Sequence, residues 1–512
     1  MRMRFGKIWV SLLALAVAQP VAAEWYEATS KHFIVYAQGS ADLVQKRAER
    51  LEWFDGLVRM FNAIPANEGD GSNKLTVYVV ADDSAVRRLF GKGGDHIAGF
   101  YQGRASGSVA FTPARDERPD DINALHPQVV LFHEYGHHLL LGNYETALPA
   151  WFGEGYPEFL STARFDKDAI WLGTPAQHRA YDLLMAAPLS AEQLFSLNMS
   201  QKLRDTQTAA LYARGWLLTH YLVMDPTRKA QLDAYLRALN AGTPGAEAAR
   251  AAFGDLRTLD KSLSAYLHKS TMAAYRIPIT RLPKPVVSVR ALSPGEREMI
   301  TLRMRSDRGV NRETAQPILA EATPIAERYP KDAVVQGWFA EMALDAGRLD
   351  LADAAADRAL AIDPKSSQAL VYKAQVHLRR ASAAHATDPA VWREARNWLL
   401  RANKIDTNDA YALQLFYQSF RMAGTPPTDN AKAALRRAHE LVPQDEGLAL
   451  TYAVQMLLDD KRDAARLVLR PLAYSAHSQT DNPAARLLAA LDAGKTGPQA
   501  LAALGAPLMI ED

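Results

Sequence analysis

The feature that most restricts the fold of this chain is a period. Pro330 and Pro364 stand 34 residues apart in a sequence of 512, and each is followed ten positions later by an alanine, Ala340 and Ala374. Ala352, Ala356 and Ala359 lead up to Pro364 and put small side chains where two helices must approach closely. Thr407 stands at the next anchor after an insertion around Ala381 to Pro389, and Pro443 follows 36 residues later. Small residues at fixed positions let antiparallel helices pack tightly, and stacked pairs bury a face that one pair alone leaves in water. From about Ser293 onward the alanine- and leucine-rich sequence is expected to form three to five such pairs. Atypical units, such as the one between Leu448 and Pro471, are candidates for caps.

That spacing resembles the tetratricopeptide repeat. The resemblance implies an all-α superhelix over 296–495 with a surface for substrate or a protein partner, followed by a tail over 496–512. Contacts in such arrays run between neighbours, so this region is expected to fold without the rest. Ile277 to Gly295 contains Pro278, Pro283, Pro285 and Pro294 and is the best linker candidate.

The other end of the chain reads as a targeting segment. Residues 1–23 hold Arg2, Arg4 and Lys7 and no acid, and Ile8 to Ala18 is apolar but too short to span a bilayer comfortably. Val21-Ala22-Ala23 offers small residues at −3 and −1 before Glu24. A signal peptide cleaved at Ala23/Glu24 is expected, hence a periplasmic or secreted protein; an uncleaved anchor is the alternative. Removing it leaves 59 − 3 = 56 bases against 57 acids, a net charge of −1. Nothing in that balance seeks nucleic acid or an anionic membrane. No later apolar run approaches the ~20 residues of a membrane-spanning helix. There is no cysteine, so disulfides, thiolate metal ligands and cysteine nucleophiles are excluded, and stability must come from core burial.

Residues 24–276 mix strands and helices. His32 to Tyr36 and Leu75 to Val80 read as strands, Ala41 to Asn62 as an amphipathic helix, and Phe100 to Arg104 with Ser108 to Thr112 as a hairpin joined through Gly107. Pro127 to Leu141 opens with proline and stops at Gly142-Asn143, which predicts a helix.

That helix carries His133-Glu134-Tyr135-Gly136-His137. Composition predicts this pattern only about 0.01 times in such a chain, and since the motif also arises by chance its context, inside a predicted helix, decides. On a helix, positions i and i+4 share a face and both imidazoles can reach one ion, while Glu134 points alongside it and can take a proton from a water. His138 lies about 100° around the helix and cannot join them. The metzincin pattern is excluded by Leu140 and Asn143. A third ligand must come from elsewhere. Glu154 lies seventeen positions after His137, and Glu145 only eight.

With Trp151, Glu154, Gly155 and Glu158 following, the sequence resembles the gluzincin metallopeptidases, which include thermolysin and the aminopeptidase-N family, and especially the bacterial peptidase MA-like proteins. The resemblance implies an α+β catalytic domain of gluzincin type, with a small sheet, a zinc-binding helix and a helical lower lobe. It makes Glu154 the third ligand to a single zinc ion and Glu158 its hydrogen-bonded support, with Glu145 a weaker rival. Pro157 departs from the usual alanine and predicts a kink that puts the placement of Glu158 in question. Tyr212-Ala213-Arg214-Gly215 is similar to the Tyr-x-Lys-Gly segment of the aminopeptidase-N family and makes Tyr212 the oxyanion donor, with His220 as runner-up. His126 is read as a loop or capping residue. The same resemblance makes Ser108, Val109, Ala110 and Phe111 the edge strand that pairs with substrate backbone. The absence there of a glutamate motif for a free amino terminus favours endopeptidase over aminopeptidase. Asp116 to Asp121 is read as a solvated acidic loop. The expected function is a zinc peptidase with appended repeats. The alternative is an envelope assembly scaffold whose zinc is structural or vestigial.

Overall fold

Leu75 to Val80 is apolar at nearly every position, and a strand of that kind needs cover on both faces. In the computed structural model, which describes residues 24–65, 71–94, 97–115, 120–121, 123–143, 148–197, 204–473 and 482–504, it has that cover. The main sheet comprises β1 (Trp25–Thr29), β2 (Phe33–Gln38), β3 (Leu75–Val80), β4 (Phe100–Gln102) and β5 (Val109–Pro113). A sixth strand, from residues 288–291, completes the order β4-β5-β3-β2-β1 at its far edge. β2, β3 and β5 run parallel, and β4 and β1 pair antiparallel with their neighbours.

Strand alternation sorts the side chains between two cores. Phe33, Val35, Ala37, Leu75, Val77 and Val79 face α1 (Ala41–Phe61) and the helix that carries the histidine motif. Tyr36, Tyr78, Val80 and Phe111 face the opposite way. There Tyr36, Tyr78, Phe111 and Phe100 form a run of stacked rings 4.6–5.4 Å apart.

After α2 (Asp83–Phe90) come α3 (Pro127–Asn143) and α4 (Ala150–Ser161). A second sheet follows, of β6 (Arg164–Phe165), β7 (Ala169–Leu172) and β8 (Tyr275–Pro278). Between β7 and β8 lie α5 (Ala180–Leu184), α6 (Ala191–Ser196), α7 (Asp205–Val223), α8 (Lys229–Asn240), α9 (Gly245–Phe253) and α10 (Leu256–Leu267). The sixth strand of the main sheet is β9 (Ser288–Ala291).

The remaining helices pack as six sequential pairs among the described residues: α11 (Pro294–Asp307) with α12 (Arg312–Arg328), α13 (Ala333–Asp345) with α14 (Leu349–Ile362), and α15 (Ser367–Ala383) with α16 (Pro389–Ile405). Then follow α17 (Ala410–Met422) with α18 (Asp429–Leu441), α19 (Glu446–Leu458) with α20 (Arg462–Ala473), and α21 (Pro483–Asp492) with α22 (Gly497–Leu501). Pro330, Pro364, Thr407 and Pro443 fall in the turns between pairs. Ala340, Ala374, Ala352, Ala356 and Ala359 are buried where helices meet, as the small-residue argument requires.

Three boundaries differ from the sequence expectation. Residues 277–295, read as a linker, contribute β8 and β9, so both sheets close through them. Residues 497–504 continue the helical stack, where the Gly497 N–H donates to Asp460 Oδ1 at 2.8 Å. The repeat region is also no separate body. Met299, Ile300, Trp338 and Phe339 of α11 and α13 share one core with the aromatic face of the sheet. Residues 1–23, Glu145 and residues 116–119 lie outside the described residues.

Candidate functional site

α3 starts where Pro127 needs no N–H partner and the His126 carbonyl accepts from the Val129 and Val130 N–H groups. It lies against α4, which begins after the extended Pro149. Glycines set how close these helices come. A Cβ on Gly136, inside the histidine motif, would lie 3.0 Å from Pro157 Cα, so the proline of α4 packs into the space that Gly136 leaves. Gly155 of α4 and Gly215 of α7 are closer still, since a Cβ on Gly155 would fall 2.3 Å from the Gly215 carbonyl carbon. Gly136 precedes His137, Gly155 follows Glu154, and Gly215 lies one turn after Tyr212. Their contacts carry His133, Glu154 and Tyr212 to one place.

His133 Nε2 and His137 Nε2 are 3.0 Å apart, and Glu154 Oε2 lies 3.5 and 3.4 Å from them. Tetrahedral bonds of about 2.0–2.1 Å separate ligand atoms by roughly 3.3 Å, so the three positions fit one zinc ion. Glu154 is 1% exposed and His133 7%. Two imidazoles and a buried carboxylate are a donor set that also accepts other divalent ions.

Pro157 does not interrupt α4, and Glu158 reaches His133 Nδ1 at 2.9 Å. The same carboxylate accepts from His178 Nε2 and Arg179 Nε, both at 2.6 Å. Burial alone would raise the Glu158 pKa, but Arg179, His133 and His178 outweigh it and hold the carboxylate well below its usual range. Burial likewise opposes charging His133, yet the carboxylates of Glu154 and Glu158 prevail and bring it up to about 10. The Tyr212 ring stacks on His133 with centroids 5.4 Å apart, and the Arg179 guanidinium lies 5.0 Å from the Tyr212 ring centroid. Burial, followed by Glu154, Glu134 and Glu158, pushes the Tyr212 phenol far up, so it remains a donor at neutral pH. Glu134 is partly exposed on the same helix.

His138, expected to lie around the helix from the ligands, turns away from the cluster and meets Tyr101 Oη through Nδ1 at 2.7 Å; burial, with Arg59 and His32 nearby, takes its pKa down to about 4. Two expected positions fall elsewhere. His220 is fully buried, with Nδ1 2.8 Å from Tyr266 Oη and Nε2 2.8 Å from the Gly173 carbonyl oxygen, so both nitrogens are committed to structure. The segment Ser108, Val109, Ala110 and Phe111 is no edge strand, because β5 is paired on both sides and buried throughout. The outermost strand on that side of the sheet is β4.

Sequence reasoning missed His178 and Arg179. They lie in a single turn of 3₁₀ helix twenty residues after Glu158, with no periodicity or motif to mark them. A second group with ligand chemistry, His32, Glu52 and Asp55, is a structural tie. Asp55 accepts from Arg59 Nε at 2.8 and 3.0 Å and from the Tyr135 hydroxyl at 2.7 Å, which fastens α1 to α3.

No protein-family model matches the chain, and no curated protein matches it. Among solved structures, a thermophilic TPR protein of Thermus thermophilus is similar at 15% identity with a TM-score of 0.30, over 41% of this chain and 97% of that one. A likeness of that strength says nothing about function, and the helical-repeat architecture rests on the packed helix pairs themselves. Among the described residues, no helix is long and apolar enough to cross a membrane.

Proposed function

We propose that this chain is an exported, zinc-dependent peptidase of gluzincin type whose tetratricopeptide-like helices form part of the same body. The observation that carries the reading is the convergence of His133, His137 and Glu154 at ligand spacing, with Glu134 next to His133 along the same helix and the Tyr212 ring against His133.

A zinc ion held by these three side chains would supply Lewis acidity toward a scissile carbonyl and a water. The chain's own groups do the rest. Glu134 accepts a proton from the water and passes it to the departing amine. Tyr212, protonated at neutral pH, donates to the carbonyl oxygen as negative charge develops there. Glu158 keeps its charge because Arg179 lies against it and His178 hydrogen-bonds to it, and through His133 Nδ1 it fixes the imidazole that presents Nε2. Extended polypeptide is the substrate class, with endopeptidase favoured.

Glu134→Gln tests the reading, since it keeps the shape of the side chain and removes its basicity. Zinc content and melting should be unchanged, while chelator-sensitive cleavage of a peptide library should fall by about 10²–10⁴-fold. Cleavage at the wild-type rate overturns the mechanism. A second reading, an assembly scaffold with structural zinc, draws support from the extent of the helical repeats. It would be favoured by a cellular phenotype that survives Glu134→Gln.

A further inference from the structure

A helical superhelix usually leaves surface for a partner, but part of this one is filled from within. The turn after β4 enters a seat formed by the tips of α17–α19. Ala105 is 6% exposed there, in one apolar cluster with Ala410, Tyr417, Leu435, Val442 and Leu448. Its N–H donates to Asp445 Oδ2 at 2.7 Å, while Oδ1 of the same carboxylate caps α19 through the Leu448 N–H at 2.8 Å. Gly103 is the close approach, for a Cβ there would stand 3.0 Å from the Gln444 carbonyl oxygen. A second contact reaches across the sequence. Asn73 Oδ1 accepts from the Ala410 N–H at 3.2 Å and Asn73 Nδ2 donates to the Asn408 carbonyl at 2.9 Å, so a residue of the sheet half caps α17.

The seated turn has a second end. Tyr101, two residues before Gly103, meets His138 Nδ1 at 2.7 Å, and His138 stacks on Tyr135 and adjoins His137. We propose that the repeat helices position the candidate site from inside the chain. The α17–α19 seat holds the β4–β5 turn, the turn holds Tyr101, and Tyr101 holds α3, so occupancy of the seat sets the order of the histidine helix. Ala105 and Tyr101 are positioning residues in this arrangement. A polypeptide that competed for the seat would loosen α3. The bearing on zinc rests on the function proposed above, but the bearing on α3 does not.

Amide hydrogen exchange on the full mature chain, stripped with a chelator, tests this without recourse to metal. Ala105→Arg puts a bulky cation into the apolar seat and should speed exchange at least ~10-fold in residues 100–107, at the starts of α17 and α19, and in residues 133–140. If that variant fails to fold, Asn73→Ala combined with Asp445→Asn loosens the same seat more gently and should give the same pattern at smaller amplitude. Tyr101→Phe should speed α3 alone, with the seat and the melting temperature unchanged. Wild-type protection of α3 after the turn is freed, or in Tyr101→Phe, overturns the proposal. Zinc affinity in the loaded protein should fall by roughly 10-fold in Ala105→Arg. A chain that exchanges as expected yet never takes zinc supports the positioning and sinks only the metal reading.

Discussion

Two buried charge clusters lie on opposite sides of the main sheet, and they are balanced differently. On the α3 side, Glu154 and Glu158 lie among His133, His137, His178 and Arg179, and Glu158 takes bonds directly from Arg179 and His178. On the superhelix side, Asp307, Glu341 and Asp345 crowd together, with Arg303 at the centre and Arg104 and Arg379 close by. Arg303 reaches Asp307 at 3.0 Å and also pairs with Glu341, Tyr372 donates to Glu341, and Ser306 donates to Asp345 at 3.0 Å. Tyr78 of β3 donates to Asp307, and the Arg104 guanidinium donates to the Asp307 carbonyl. Burial and Glu341 push Asp345 up to about 7 against the pull of Arg303 and Arg379, and burial raises Asp307 as well. A buried carboxylate that accepts directly from a guanidinium stays ionised, whereas one that meets a hydroxyl and faces a second carboxylate holds a proton instead.

The comparison is broken most directly by removing a ligand. Glu154→Ala should abolish stoichiometric zinc in a metal analysis, because two imidazoles alone do not make the site. Retention of full zinc would hand the ligand role to another acid, with Glu145 first in line. Cutting the molecule between the clusters comes next. A fragment from Ser293 to the C-terminus exposes Met299, Ile300 and Trp338, which are buried beneath the sheet in the whole chain. It should lose protection in α11–α13 or associate through that face, while α14–α20 stay helical. Cooperative melting of a monomer would instead make the shared core dispensable.

Smaller effects refine the two charge balances. Glu158→Gln should weaken zinc by about 10–100-fold and leave its stoichiometry at saturation intact, as expected of a side chain that only orients His133. Asp345→Asn should act through pH. Below about 4, folded and unfolded chains both hold the Asp345 proton. Between there and about 7 only the folded chain keeps it, so stability falls as pH rises and levels off above. The amide removes that penalty, and the melting temperature should rise by about 2 °C at pH 8 and not at pH 4. An equal gain at both values would show that Asp345 carries no extra proton.

Much of the site could be read from residues close in sequence. His133, Glu134 and His137 are fixed relative to one another by helical geometry alone, and the period of prolines and alanines marks the helix pairs because each repeat must bury the same small face. Glu154 is legible only by resemblance, since seventeen residues and a turn separate it from His137. His178 and Arg179 had no pattern to announce them; they matter because the chain folds back onto Glu158. The interior place of Ser108 to Phe111 follows from strand order, which local sequence does not encode.

Sequence by itself determined the local elements of this protein: an apolar strand at Leu75 to Val80 that demands two covers, a histidine helix bounded by Pro127, and repeats whose alanines permit close packing. Only the tertiary structure decided what supplies the second cover. The same apolar run is satisfied by any helix pair of the right shape, and it was the return of residues 277–295 into both sheets that laid α11–α13 there. Long-range pairing of that kind depends on which surfaces meet, a property of the folded body that no local window of residues contains.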